Sequence, residues 1–251
     1  MHASIADRGA GLSGLPVAIL AGGLATRLRP ITETIPKGLV EVAGRPFLET
    51  QLIFLRDQGF RQIVLCVGYL GYQIEERYGD GSSLGVDLRY SHDGAVLLGT
   101  GGALRGALPM LGAEFLVLYG DSYLPVDFGH VVATFRQQTL PALMTVYRNE
   151  DQWDGSNVFF EESRIRQYSK RKRTPEMRHI DYGLMAFRAS VFDPYNASPL
   201  DLADILEDLV ARKELAGLEV SQRFYEIGSH SGLAELDRFL SDKKHGSAPL
   251  P

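Results

Sequence analysis

Short apolar runs set among helical patterns constrain this chain more than any other feature. Residues 17–21, 62–67 and 114–119 are too short for buried helices and too uniformly apolar for half-exposed strands, so they read as strands covered on both faces. Two glycines follow the first run, and Gly120-Asp121 follows the third. Helical spacing marks residues 46–58, with Pro46 suited to a first turn and Gly59 closing it. Residues 69–78, 101–108 and 126–138 read as further helices, 86–90 as an edge strand and 142–147 as another strand. Strands alternating with helices predict an α/β domain of Rossmann-like, three-layer form. Its sheet should be mixed and mostly parallel, with right-handed crossovers.

The texture changes after about residue 150. Residues 157–160 and 164–168 read as paired short strands, 180–187 as another strand and 224–227 as a short one. Residues 202–213 are amphipathic, with Leu202, Ile205, Leu206, Leu209 and Val210 on one face, and 231–240 read as a closing helix. No Pro- or Ser-rich linker divides the chain. The expected organisation is therefore a disordered arm over 1–14, one domain over 15–242 and a flexible tail over 243–251.

Composition narrows the function. A net charge of −5 argues against a dedicated nucleic-acid binder while leaving room for a local basic pocket. One cysteine, Cys66, rules out a disulfide framework within the chain and fits a reducing cytoplasm. Its apolar neighbours make it a small buried hydrophobe rather than a nucleophile. No apolar run is long enough to span a membrane, and residues 1–14 lack the apolar core of a signal peptide.

The segment from Leu20 to Lys37 carries the chemistry. Gly22 and Gly23 let backbone N–H groups approach a ligand closely, Thr26 adds a hydroxyl, and Arg27 and Lys37 bring positive charge to the same place. Phosphoryl and nucleotidyl transfer need that combination, because they depend on positioning and charge neutralisation. Asp121, directly after the third buried run, stands where ligands bind in open α/β sheets and can meet a hard cation through oxygen.

The string Gly22-Gly23-Leu24-Ala25-Thr26-Arg27-Leu28-Arg29-Pro30-Ile31-Thr32, followed by Pro36-Lys37, closely resembles the signature of the sugar-phosphate nucleotidylyltransferases. One position departs from it: Ala25 stands where that family carries glycine. The resemblance implies a nucleotidyltransferase fold in which Leu20, Ala21, Gly22, Gly23, Ala25 and Thr26 hold the nucleotide. It implies that Arg27 stabilises charge at the α- and β-phosphates and that Lys37 bridges the phosphates of both substrates. Gly120-Asp121 matches the family's metal motif. Phe224-Tyr225-Glu226-Ile227-Gly228-Ser229 matches its second one, with Glu226 in place of aspartate, so Mg²⁺ is the implied cofactor. Thr100, Gly101 and Gly102, in a segment similar to the family's Gly-Thr-x-Gly-Ala, and Gln73 are the implied contacts to the nucleoside. On the acceptor side the resemblance points to Asn157, Lys170, Asp181 and Gly183. There the family's Glu and Asn are replaced by Ser169 and Asp181.

The implied substrates are an NTP and a sugar 1-phosphate, with pyrophosphate as the leaving group and a monomer or homodimer as the working form. The short chain is most similar to heptose- and mannose-1-phosphate guanylyltransferases, which implies GTP. A uridylyltransferase for an amino-sugar 1-phosphate and a phosphocholine cytidylyltransferase are the alternatives. A non-catalytic nucleotide-sugar-binding regulator is a reading of another class. Such proteins tend to lose the cations or carboxylates that are all present here. A nicotinamide oxidoreductase is disfavoured because the first loop lacks G-x-G-x-x-G spacing.

Overall fold

The computed structural model describes residues 11–244. The first part of the chain runs β1 (Val17–Leu20), β2 (Glu41–Val42), β3 (Arg45–Pro46), α1 (Phe47–Asp57), β4 (Gln62–Val67), α2 (Gly71–Tyr78), β5 (Asp87–His92) and α3 (Gly99–Leu111). Next come β6 (Glu114–Tyr119), β7 (Ser122–Tyr123), α4 (Phe128–Arg136), β8 (Ala142–Arg148), β9 (Val158–Glu161), β10 (Arg164–Tyr168) and β11 (His179–Arg188). The remainder is α5 (Leu202–Ala211), β12 (Leu215–Val220), β13 (Tyr225–Glu226) and α6 (His230–Lys244). Nine strands form one sheet in the order β5-β4-β1-β6-β11-β8-β12-β10-β9. Pairing is parallel through β5-β4-β1-β6 and between β8 and β12. It is antiparallel around β11 and along β12-β10-β9. The sheet is thus mixed, and its antiparallel part comes from the second half of the chain, where the alternation of strands and helices breaks down.

Side chains of β1 divide by the two-residue strand period. Val17 and Ile19 enter the apolar layer shared with Leu48 and Leu52 of α1 and Val131 of α4. Ala18 faces the opposite layer, with Leu104 of α3 and Leu206 of α5. Helices therefore cover both faces, giving three layers. Ile19, Leu52, Leu104 and Leu206 are fully buried, and each such side chain contributes about 1.5–3 kcal/mol relative to exposure.

The apolar layers also reset the expected boundaries. Leu12 is buried in the first layer and its carbonyl accepts from Leu15 N at 3.1 Å, so packed structure begins before residue 15. The closing helix runs past 242 to Lys244. Residues 1–10 of the expected arm and 245–251 of the expected tail lie outside the described residues. Helix α3 is longer than the expected 101–108, because it starts at Gly99 and ends at Leu111.

Within the nine-stranded sheet, β12 is the strand that sequence reasoning missed. Its Ala216 and Gly217 have low strand propensity, yet Gly217 is where the ring of Phe160 lies against the strand. A Cβ there would sit 2.5 Å from Phe160 Cε2.

Candidate active site

Chain direction locates the site. From β1 the chain moves to β4 and β5 on one side, then returns to β6 on the other. The loops leaving β1 and β6 therefore diverge at their carboxyl ends, the crevice where open α/β sheets bind ligands. The two strand ends touch there: Gly120 N donates to Leu20 O at 3.1 Å. A Cβ on Gly120 would lie 2.5 Å from that oxygen, so glycine is what lets Asp121 follow the strand into the crevice.

A cleft of about 490 Å³ opens at this point. Leu20, Ala21, Gly22, Gly23, Arg27 and Lys37 line it, as do Thr100, Asp121, Asn157, Lys170, Asp181 and Glu226. Residues separated by some two hundred positions thus share one cavity.

The charged centre is built from three short segments. Lys37 opens a 3₁₀ turn after Pro36, and its Nζ lies 2.7 Å from Asp121 Oδ2. Strand β13 pairs with β7 so that Glu226 stands opposite Ser122, and Ile227 N donates to Asp121 O at 2.9 Å. That ladder sets Glu226 beside Asp121. Burial, then the like charges of Asp121 and Asp154, push the Glu226 carboxyl up to about 7, against the pull of Lys37 and Arg27. The Arg27 guanidinium packs over Gly228, where a Cβ would sit 3.0 Å from Nη2. Gly228 of the late motif therefore makes room for the arginine of the early one.

Two adjacent carboxylates are a donor set that fits a hard divalent cation. Among the described residues no group of three or more His, Cys, Asp or Glu side chains could hold a metal ion. Asp121 and Glu226 would supply two oxygens, leaving other positions to phosphate oxygens and water, as is usual for Mg²⁺.

Other expected contacts lie elsewhere. Gln73 does not line the cleft; its Nε2 donates to Thr34 O at 2.9 Å, which holds the β1 loop to α2. Gly101 and Gly102 also lie outside the cleft lining. Their N–H groups both donate to Leu200 O, at 2.9 and 3.0 Å. A Cβ on Gly101 would lie 3.0–3.1 Å from Leu200, Asp201 and Ile205. These two glycines allow α3 to meet the start of α5, while Gly99 and Thr100 reach the cleft. Ala25 and Thr26 do not line the cleft. Ala25 is left-handed, at φ 48° and ψ 43°, and its carbonyl accepts from Thr32 Oγ1 at 2.8 Å. Gly183, at φ 96°, donates its N–H to Asp181 Oδ1 at 3.0 Å and does not line the cleft.

Among the lining residues that sequence reasoning did not place in the site are Asp93, Tyr119, Asp154 and Arg173. Tyr119 was hidden as the last residue of an apolar run, and Arg173 in a basic stretch that reads as solvated. Cys66 also touches the cleft, but it is buried and burial pushes its thiol up to about 12, so it is inert as a nucleophile.

Comparison with known proteins agrees with this geometry. Residues 17–243 match the nucleotidyl transferase family. The chain belongs to that family. This nucleotidyl transferase is 33% identical over 228 residues to the N-acetylmuramate alpha-1-phosphate uridylyltransferase of Neisseria meningitidis, covering 86% of this chain and 94% of that protein. It is 38% identical over 109 residues to the D-glycero-alpha-D-manno-heptose 1-phosphate guanylyltransferase of Campylobacter jejuni, covering 43% of this chain and 48% of that one. Its fold matches the structure of a Bacillus anthracis protein described as a glucose-1-phosphate thymidylyltransferase, with a TM-score of 0.82 at 22% identity, over 91% of this chain and 96% of the other. Among the described residues no helix of this nucleotidyl transferase is long and apolar enough to cross a membrane.

Proposed function

We propose that this nucleotidyl transferase joins the nucleoside monophosphate of an NTP to a sugar 1-phosphate in the cytoplasm, forming a nucleotide-sugar and releasing pyrophosphate. The convergence of Arg27, Lys37, Asp121 and Glu226 at the point where strand order reverses carries this reading. The sugar phosphate is already anionic at neutral pH, so its oxygen attacks the α-phosphorus without a general base. Backbone around Gly22 and Gly23 positions the triphosphate. Lys37 and Arg27 hold positive charge where negative charge develops. Mg²⁺, held by Asp121 and Glu226, would offset charge on the phosphates. The Lys37–Asp121 pair then opens, and the ammonium turns to the phosphates of the two substrates.

GTP with a heptose or mannose 1-phosphate is the preferred substrate pair, supported by the likeness to the Campylobacter guanylyltransferase. The longer match to the Neisseria uridylyltransferase favours UTP with an amino-sugar 1-phosphate as the second reading. A matrix of NTPs against sugar 1-phosphates and phosphocholine, read by pyrophosphate release with and without Mg²⁺, tests both. Release from GTP with a neutral hexose or heptose 1-phosphate supports the first reading, and release from UTP with an amino-sugar 1-phosphate the second. Tight NTP binding without turnover on any acceptor would instead mark a regulatory protein.

A further inference from the structure

At the far side of the cleft from the β4 and β5 loops, three polar side chains from β6, β11 and the loop after β10 form a chain. Asp181 on β11 accepts through Oδ2 from Tyr119 OH at 3.0 Å. That hydroxyl in turn accepts from Lys170 Nζ at 3.2 Å, and the ammonium stands 4.8 Å from the centre of the Tyr119 ring. Asp181 is only 8% exposed, and its other oxygen is taken by Gly183 N. Its own N–H donates to Asn157 Oδ1 at 2.9 Å.

The backbone is shaped for this arrangement. The pairing of β11 with β8 shifts register between Asp181 and Met185. Irregularities of this kind re-aim side chains next to sites. Gly183 lies within the shift at φ 96°, and a Cβ there would press on Tyr119 Cδ2 at 3.1 Å. Burial and the neighbouring carboxylate both push the Tyr119 phenol upward, so it stays protonated. Its single proton points to Asp181, which leaves its lone pairs for Lys170.

Both Asp181 oxygens thus already accept from within the protein, Oδ2 from Tyr119 OH and Oδ1 from Gly183 N, which ties the carboxylate to its neighbours. We propose that Tyr119 and Asp181 are positioning residues that hold the Lys170 ammonium at the acceptor end of the cleft, where it meets the phosphate of the incoming sugar 1-phosphate. This rests on the nucleotidyl-transfer reading for its substrate but on the hydrogen-bond chain for its residues. A buried carboxylate linked through a phenol fixes the ammonium in place, where a free lysine would sample many rotamers.

The test compares Lys170→Met, Tyr119→Phe, Asp181→Asn and the double variant Tyr119→Phe/Lys170→Met. It uses the fastest acceptor among mannose, glucose and N-acetylglucosamine 1-phosphates. Lys170→Met should raise KM for the sugar 1-phosphate roughly ten- to hundredfold, the scale of one charge-assisted hydrogen bond, with KM for the NTP little changed. Tyr119→Phe should raise the same KM by a smaller factor, and Asp181→Asn, which still accepts from Tyr119, by less again. The double variant should be no worse than Lys170→Met alone. Multiplying effects in the double variant, or a change confined to the NTP, would overturn the proposal.

A second measurement needs no turnover. Acetic anhydride labelling read by mass spectrometry should show Lys170 reacting several times faster in Tyr119→Phe than in the wild type, with Lys213 unchanged. Equal Lys170 labelling in both proteins would overturn the positioning role. If the wild type turns over no acceptor at all, nucleotidyl transfer fails as the function, and the labelling result still decides the chain of contacts.

Discussion

Both ends of the cleft carry a lysine and an aspartate, and the two pairs are built differently. Lys37 and Asp121 touch directly, with side chains 18% and 31% exposed. Lys170 and Asp181 are joined through the Tyr119 hydroxyl, and the carboxylate is buried with each oxygen accepting a hydrogen bond. An open pair can part at low cost when a ligand arrives, since a partly solvated ion pair contributes little. A buried carboxylate with its partners in place resists rearrangement, because each lost partner leaves an unsatisfied group. The first pair suits groups that act on the phosphates, and the second suits a prop.

The largest expected effect is at the open pair. Lys37→Ala and Asp121→Asn should each lower kcat/KM by roughly 10²–10³-fold, the usual scale for losing one preorganised charge contact. Neither should shift the unfolding midpoint much. Pyrophosphate release near wild-type levels from either variant would remove Lys37 and Asp121 from the reaction.

Asp181→Ala sharpens the contrast from the other side. It leaves the Tyr119 hydroxyl and the Gly183 N–H without their acceptor, so it should cost about 1–3 kcal/mol of stability. Denaturant unfolding of Asp181→Ala and Asp121→Asn side by side checks this. Equal stability losses would mean that the two carboxylates are equally embedded, and the distinction would fall.

How much of this could be read from the sequence follows the same division. The phosphate end was legible because its charged residues sit in three short strings, around Arg27 and Lys37, at Asp121 and at Glu226, each recognisable by itself. The acceptor end was legible only in part: Asn157, Lys170 and Asp181 do line the cleft, but the contacts that join them are assembled by register. Asp181 reaches Tyr119 only through the irregular stretch of β11, and nothing in an apolar run ending in tyrosine marks that hydroxyl as part of a site. Gly101 and Gly102 went astray for a related reason. A glycine-rich string beside a cleft looks the same whether its bare backbone faces a ligand or, as here, the carbonyl of Leu200. Strand β12 was lost because propensity argues against Ala-Gly, whereas a place between β8, to which it runs parallel, and β10, to which it runs antiparallel, only requires that nothing protrude under Phe160.

Glu226 tests whether the open end is strained in the absence of cation. Its carboxyl is raised from about 4.5 to about 7, so the folded state keeps a proton that the unfolded state has lost between those values. Below about pH 4.5 both states are protonated and there is no penalty. Stability should fall as pH rises from there to about 7, and the penalty is constant above, on the order of 3 kcal/mol at most. With EDTA present, Glu226→Gln should therefore be more stable than wild type at pH 8, and the gap should close at pH 4. Thermal unfolding at the two pH values checks it. The same gap at both would show that the glutamate is not held against its charge. Added Mg²⁺ should stabilise the wild type at pH 8 more than the variant.

The smallest effect expected is at Ala25, the one break in the early motif. A methyl in place of glycine would matter if it forced the loop out of the conformation that glycine allows. The backbone is instead left-handed at Ala25, and Thr32 Oγ1 clamps its carbonyl there. Such a conformation costs a non-glycine residue roughly 1–2 kcal/mol, so Ala25→Gly should relieve strain in the folded loop. It also frees the unfolded chain, a cost of about 0.4–1 kcal/mol. The two largely offset, and stability should change by less than about 1 kcal/mol, with kcat/KM close to wild type. Thr32→Val, which removes the clamp and keeps the shape, should slow turnover more than Ala25→Gly does. If the order is reversed, the methyl itself shapes the phosphate loop, and the left-handed turn at Ala25 would be an active part of nucleotide binding rather than a tolerated departure.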